Sequence, residues 1–307
     1  FLFFGTLFFC VSDLRDQSKV RFKLHHSALI ILSTAITCAY RANDLTFVWI
    51  VVESTTLSAS ALIYHHRDDV ALEATWKYIF ICSSGIALAY IGVLLLSASI
   101  QSGHEFNLSF TNLREGVKNA SPVYLKMAFL MVLVGYSTKM ELFPMHTVGI
   151  DANTVAPSPI SALISTAMVN MGFLSIFRVY DILAGSSIVS WMNNVLIIAG
   201  VSSLVVSSAY LLQVRNLKRM FAYSSLENAG IVAIALGVGG FGYIAAFLHL
   251  IIHSFIKSSL FFQSGKLYQV YQSFDIKKMG GLFRIYPVYG ILLLSGTIGL
   301  IAIPPSG

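Results

Sequence analysis

Charge is what this chain has least of. Asp, Glu, Lys and Arg together make up 11% of its 307 residues, against roughly 25% in an ordinary soluble domain. So little charge excludes a water-soluble globular surface. Cysteine is nearly absent too. Cys10, Cys38 and Cys82 each lie in an apolar run, with no CxxC or CxxH spacing. They read as small buried hydrophobes, and no iron–sulfur ligation or other metal site is expected within the chain. Also missing are a phosphate loop, a Ser-His-Asp set and a Rossmann glycine pattern in a plausible context. No covalent active site and no cofactor site of the chain's own is expected. The pI near 9.2 does not point to nucleic acid, because the basic residues do not cluster with interleaved aromatics.

What is present is apolar length. Hydrophobic residues make up 56% of the chain, and its mean hydropathy is +0.75. Apolar stretches of about 20 residues, enough to cross a hydrocarbon core of roughly 30 Å, follow one another. Nine are read: Leu24–Tyr40, Leu45–Tyr64, Tyr78–Ile100, Val123–Thr147, Ile160–Val179, Val189–Val214, Met220–Val238, Phe241–Ser264 and Ile285–Ile303. The opening FLFFGTLFFCV reads as the end of a tenth. The fold class is therefore all-α, a polytopic transmembrane bundle forming one membrane domain over 1–307. Both ends read as cut, since Phe1 lies inside an apolar run and Gly307 follows a Pro-Pro break. Basic residues fall in alternate loops. Arg15, Lys19, Arg21, Lys23, Arg67, Arg215, Lys218, Arg219, Lys266, Lys277, Lys278 and Arg284 share one side; Arg41, Arg114, Lys118 and Arg178 share the other. The positive-inside rule makes the first side cytoplasmic. The expected location is a bacterial inner membrane.

Against that background a few ionisable groups stand out. His249, His253 and Lys257 recur every four residues inside FLHLIIHSFIKSSLFF, forming one polar stripe on an apolar helix. Ionisable groups at membrane depth cost roughly 2.5–3.5 kcal/mol each for Lys or Asp on insertion scales, and they mark ion pathways. Lys139 lies in the second half of another apolar helix, five residues before Pro144. Proline should break that helix, and broken membrane helices line hydrated cavities. Glu53 is central in its span, too deep for a short side chain to reach water. Lys139 is its expected partner, as a switch: separating the charges favours release of the lysine proton, and re-forming the pair favours uptake. Lys218 opens a helix, where it serves as a relay or as an interface anchor. Glu227 lies deeper, and Ser224, Ser225 and Asn228 are placed to satisfy it locally. Glu141, two residues from Lys139, points to another helix face and balances charge. Val123–Pro159 and Leu204–Gly240 each carry a Lys near an interrupted helix, a loose likeness to transporter repeats.

The segments VGYSTKMELFPMHT, APSPISALIS, RNLKRMFAYSSLENAGI and HLIIHSFIKSSLFFQSGKL carry a resemblance. With the Glu53 helix and EATWKYIFICSSGIALA they cover nearly the whole chain. Together they resemble the antiporter-like membrane subunits of respiratory complex I, multisubunit cation/proton antiporters and group 4 membrane-bound hydrogenases. LEATWKYIFICSSGIAL and AYSSLENAG look most like the hydrogenase-4 component F-like branch. The resemblance implies that this chain is a fragment of a fourteen-helix subunit, with a broken helix near Pro144. It implies proton-relay roles for Glu53, Lys139, Lys218, His249, His253 and Lys257, with Asn170, Glu227 and His146 as further candidates. Asn170 stands where related chains often have Lys or His, and Asn carries no proton at neutral pH. The loop HTVGIDANTVAP replaces HTWLPDAHSEAP, keeping His146, Asp151, Ala156 and Pro157.

The function implied is proton translocation within a redox-driven complex, hydrogenase-like or NADH-quinone oxidoreductase-like. Its expected partners are lipid, other membrane-arm subunits and a peripheral redox arm. Iron–sulfur clusters and nickel–iron or flavin would reside in those other subunits. The alternatives are a cation/proton antiporter subunit exchanging sodium or potassium without a redox partner, and a non-pumping scaffold. Haem ligation by His249 and His253 is disfavoured, because both share one helix face.

Overall fold

A computed structural model describes residues 3–7, 19–65, 67–100 and 108–301, with only the backbone of 19–22 and of Asn119. Cys10, Arg15, the Pro-Pro break and Gly307 lie outside the described residues, as do the side chains of Lys19 and Arg21. The described residues are helical almost throughout and contain no β-strand. After residues 3–7, α1 (Lys19–Arg41), α2 (Leu45–Ile63), α3 (Asp69–Ile100) and the short α4 (Phe110–Gly116) follow. Then come α5 (Pro122–Met140), α6 (Thr147–Val155) and α7 (Ser158–Leu183), which contains a π-helical stretch at Ile164–Met168. The chain continues through α8 (Val189–Leu211), α9 (Leu217–Val238), α10 (Phe241–Tyr271), α11 (Leu282–Ile285) and α12 (Pro287–Leu300).

Short polar residues start two of these helices by satisfying their first backbone donors. Asp44 accepts from the amides of Thr46 and Phe47 at 2.8 and 3.0 Å, opening α2. Asn216 accepts from the Arg219 amide at 3.1 Å, opening α9. Each cap is also tied to a distant loop by an isolated antiparallel bridge, Asp44 to Ser109 and Asn216 to Asp275. These two bridges mark opposite ends of the bundle.

Among the described residues, seven helices are long and apolar enough to cross a membrane: α2, α3, α5, α7, α8, α9 and α10. Of the nine expected spans, one falls short and one is described only in part. Leu24–Tyr40 lies within α1, which begins on Lys19, Arg21 and Lys23 and is too polar to qualify. Ile285–Ile303 gives the 14-residue α12, which begins at Pro287 because proline suits a first helical turn. α7 and α9 are the most enclosed helices, and α8 is the least. The outward faces carry large apolar side chains such as Phe80, Ile198 and Val205, each 63–65% exposed. Such faces suit lipid rather than water.

Contacts gather residues of the two sets of loops at opposite ends of the bundle. Arg178 donates to the carbonyls of Ala39 and Tyr40 at 2.6 and 2.7 Å, and Arg114 pairs with Asp181. These contacts gather the less basic end. At the other end Arg219 meets Asp151 at 3.5 Å, beside the Asn216–Asp275 bridge.

Candidate functional site

The break expected before Pro144 is real. α5 ends at Met140, the Leu142 amide turns back to the Ser137 carbonyl at 3.1 Å, and helix resumes at Thr147. Lys139 therefore sits in the last turn of a half-helix inside the bundle, 3% exposed. α7 reaches this turn only because position 172 is glycine: a Cβ there would lie 2.5 Å from the Met140 nitrogen and 2.7 Å from the Lys139 carbonyl carbon.

Lys139 and Glu53 do not form the expected ion pair. Among the described residues no carboxylate lies within salt-bridge distance of Lys139. α3 packs against both α2 and α5 and gives each charge a neutral partner. Lys139 Nζ donates to the Tyr78 hydroxyl at 3.0 Å and lies 4.8 Å from the centre of the Tyr78 ring. That geometry combines a charge-assisted hydrogen bond with a cation–π contact. Glu53 is half-buried; Ser83 donates to its Oε1 at 2.7 Å and Thr56 to its Oε2 at 3.4 Å. Serine and tyrosine thus stand between the two charges, and spacing along the sequence gives no sign of a third helix. Tyr78→Phe would keep the ring and remove the hydroxyl. A hydrogen bond to a charged group is worth ~1.5–3 kcal/mol, so proton transfer should slow by roughly tenfold or more, measured as the proton flux of the complete complex in sealed vesicles.

Lys218 faces inward rather than toward an interface. It is 1% exposed, donates to the Ala156 carbonyl at the end of α6, and lies 5.4 Å from the Phe274 ring centre. The anchoring alternative does not describe this placement. The divergent loop from His146 to Pro157 is folded as α6, and it still braces the break. Asn153 donates to Glu141 at 2.7 Å, and Ser161 donates to the carbonyls of Asn153 and Ala156. His146 itself is 7% exposed and stacks 5.8 Å from Phe143, away from the lysines' hydrogen bonds.

The α10 stripe takes the expected form. Lys257 is wholly buried and donates to the Phe221 carbonyl and the Ser224 hydroxyl of α9. One turn earlier His253 is 4% exposed, and its Nε2 has no hydrogen-bond partner among the described residues. One turn earlier again, His249 Nε2 lies 2.8 Å from Asn228 Oδ1. The two imidazoles are nearly parallel, their centres 6.4 Å apart. Asn170 of α7 donates to Ser254, the neighbour of His253, at 2.8 Å. It therefore joins the line through a serine rather than through the imidazoles.

Glu227 is half-buried, and the residues placed to satisfy it are occupied elsewhere. Ser224 and Ser225 donate to the Phe221 carbonyl, and Asn228 serves the Ser224 carbonyl and His249. Glu141 is the residue the sequence reading set aside, and it is 1% exposed. Only the αL backbone at the end of α5 turns it inward, and residue spacing on a regular helix cannot reveal such a turn. Among the described residues, no group of three or more His, Cys, Asp or Glu is gathered to hold a metal ion.

The site is therefore a set of buried basic side chains at the end of α5, the start of α9 and the stripe on α10, its three lysines each held by neutral oxygens. Comparison with known proteins gives it a setting. Residues 42–307 match the family described as NADH:quinone oxidoreductase/Mrp antiporter, TM. The hydrogenase-4 component F homolog of Methylacidiphilum infernorum is 32% identical over 299 residues, covering 96% of this chain and 63% of the relative. Hydrogenase-4 component B of Escherichia coli is 30% identical over 272 residues, covering 84% of this chain and 39% of that protein. The chain thus spans less than two thirds of these curated relatives. Among solved structures, a chain of the membrane-bound sulfane sulfur reductase, an archaeal respiratory membrane complex, superposes with a TM-score of 0.84 at 26% identity. That match covers 90% of this chain and 56% of the other. A chain of the Mrp complex from Dietzia sp. shares the fold at a TM-score of 0.81 and 18% identity, covering 91% of this chain and 51% of that one.

Proposed function

We propose, on the premise that this chain belongs to the NADH:quinone oxidoreductase/Mrp antiporter transmembrane family, that it relays protons as a membrane subunit of a redox-driven complex. It is an integral membrane protein, and its relatives include hydrogenase components. One observation carries the reading. Lys139, Lys218 and Lys257 are each at most 3% exposed, and each is held by neutral oxygens rather than by a carboxylate. A purely structural buried lysine needs a counter-ion to offset its desolvation. One held by neutral acceptors gains and loses a proton without breaking an ion pair. Neutral imidazoles at His253 and His249 extend the line, since each both donates and accepts. Moving one charge through 100 mV takes about 2.3 kcal/mol, and the redox chemistry of partner subunits would supply it.

In this proposal Glu53 and Lys139 take up the proton, Lys218 and Lys257 relay it, and His253 and His249 pass it on. Asn170, Glu227 and His146 flank that path. Iron–sulfur clusters and nickel–iron or flavin belong to the peripheral arm, and the membrane is a bacterial inner membrane. Purifying the complete complex in mild detergent and assaying nickel, iron and flavin tests the setting. Nickel with iron is expected and would place the chain in a hydrogenase-type assembly; iron and flavin without nickel would place it in a dehydrogenase. An intact complex with none of these would overturn the redox reading and favour sodium or potassium exchange. The family description, which includes Mrp antiporters, supports that second reading.

A further inference from the structure

We infer that Glu141 is a proton-carrying station between the Tyr78–Lys139 pair and Lys257, the link that joins the broken helix to the α10 stripe. This rests on the proton-relay reading above and names a residue that reading does not use.

Glu141 is the C-cap of α5, with φ 59° and ψ 31°, the left-handed region that favours glycine and disfavours a long side chain. It is also 1% exposed, so this position carries both backbone strain and the cost of burying a carboxyl group. Neither cost is needed to end a helix, because glycine at the same place would avoid both. The pocket that receives the side chain exists because residue 149 is glycine: a Cβ there would lie 2.5 Å from Glu141 Cγ. One carboxylate oxygen is fixed, Oε1 accepting from Asn153 at 2.7 Å. The other, Oε2, is buried with no hydrogen-bond partner among the described residues. An orphaned carboxylate oxygen at this depth is costly, and it has the capacity to take up a proton.

Its surroundings say where that proton comes from and goes. Glu141 follows Lys139 by two residues at the end of α5, and α6, which carries its partner Asn153, packs against α9, the helix to which Lys257 donates. Lys139 loses a proton as the Glu141 carboxylate becomes a carboxylic acid. The acid then returns to carboxylate as the Lys257 amine becomes an ammonium. Charge and protons balance in both steps. The second step bypasses Asn170, which cannot carry a proton.

The test uses the complete complex in sealed vesicles, comparing protons moved per electron for wild type, Glu141→Gln and Glu141→Gly. Gln keeps an acceptor for Asn153 and cannot ionise; Gly removes the side chain and suits the left-handed backbone. Both variants are expected to assemble and to lose most proton translocation. Reduced-minus-oxidised infrared spectra of wild type should also show a buried carboxylic acid band that Glu141→Gln removes. A merely structural tether would leave translocation and that band unchanged in Glu141→Gln, and this result would overturn the inference alone. Failure of both variants to assemble would overturn it as well, by making the carboxylate structural. Redox turnover without proton movement in wild type would instead overturn the relay reading and this inference together.

Discussion

The Lys139→Ala variant is expected to assemble and to lose redox-linked proton translocation altogether. Lys139 is the ionisable group at the end of the half-helix, and its single hydrogen-bond partner shown here, Tyr78, is neutral. Alanine leaves the Tyr78 hydroxyl with no base to exchange with. Each 1.36 kcal/mol added to a transfer barrier slows it about tenfold, and several such increments separate a relay from the leak through an apolar interior. Structural damage should be smaller. The αL turn, the Asn153 brace and the close fit at Gly172 all remain, so the expected loss of stability is the ~2–3 kcal/mol of a large-to-small core substitution. Complex assembly by gel filtration and proton flux in vesicles separate the two effects. Wild-type proton movement by an assembled Lys139→Ala complex would remove Lys139 from the mechanism.

Lys257→Met should separate function from stability more cleanly. Lys257 is fully enclosed, and methionine has nearly its length and no charge. Replacing buried charged groups with apolar ones of similar volume is often neutral, or stabilising by about 1–4 kcal/mol. The variant loses its donors to the Phe221 carbonyl and Ser224, but that carbonyl retains its place in α9 and Ser224 its bond to Phe221. The expected result is a complex at least as stable to heat as wild type, with proton translocation lost. A sharp fall in thermal stability with translocation retained would mean that Lys257 only packs α10 against α9.

The helical periodicity and the scarcity of charge make the bundle, the α10 stripe and the break before Pro144 readable from the sequence. Lys139, Lys257 and His253 fall inside the molecule as their depth within apolar runs implies. Partners are another matter. Glu53 and Lys139 look like a pair on paper, yet α3 runs between their helices and gives Ser83 to one and Tyr78 to the other. Lys218 lies at a helix start, where snorkelling is the usual outcome, but the end of α6 offers it a buried carbonyl. Glu141 depends on a left-handed residue and a facing glycine, neither of which leaves a periodic signal. The span count also depends on context. α1 follows a cluster of basic residues and α12 is described only over Pro287–Leu300, so among the described residues seven helices have full spanning character.

The most direct measurement is proton movement by the complete complex in sealed vesicles with a pH-sensitive dye, in sodium- and potassium-free buffer. Electrons would be supplied as hydrogen with an oxidised viologen, or as NADH with a soluble quinone. An uncoupler-sensitive pH change that follows electron flow, present in wild type and absent in Lys139→Ala, is the predicted result. Electron flow with no pH change, or a pH change that appears only when sodium or potassium is added, would contradict the redox-driven proton relay.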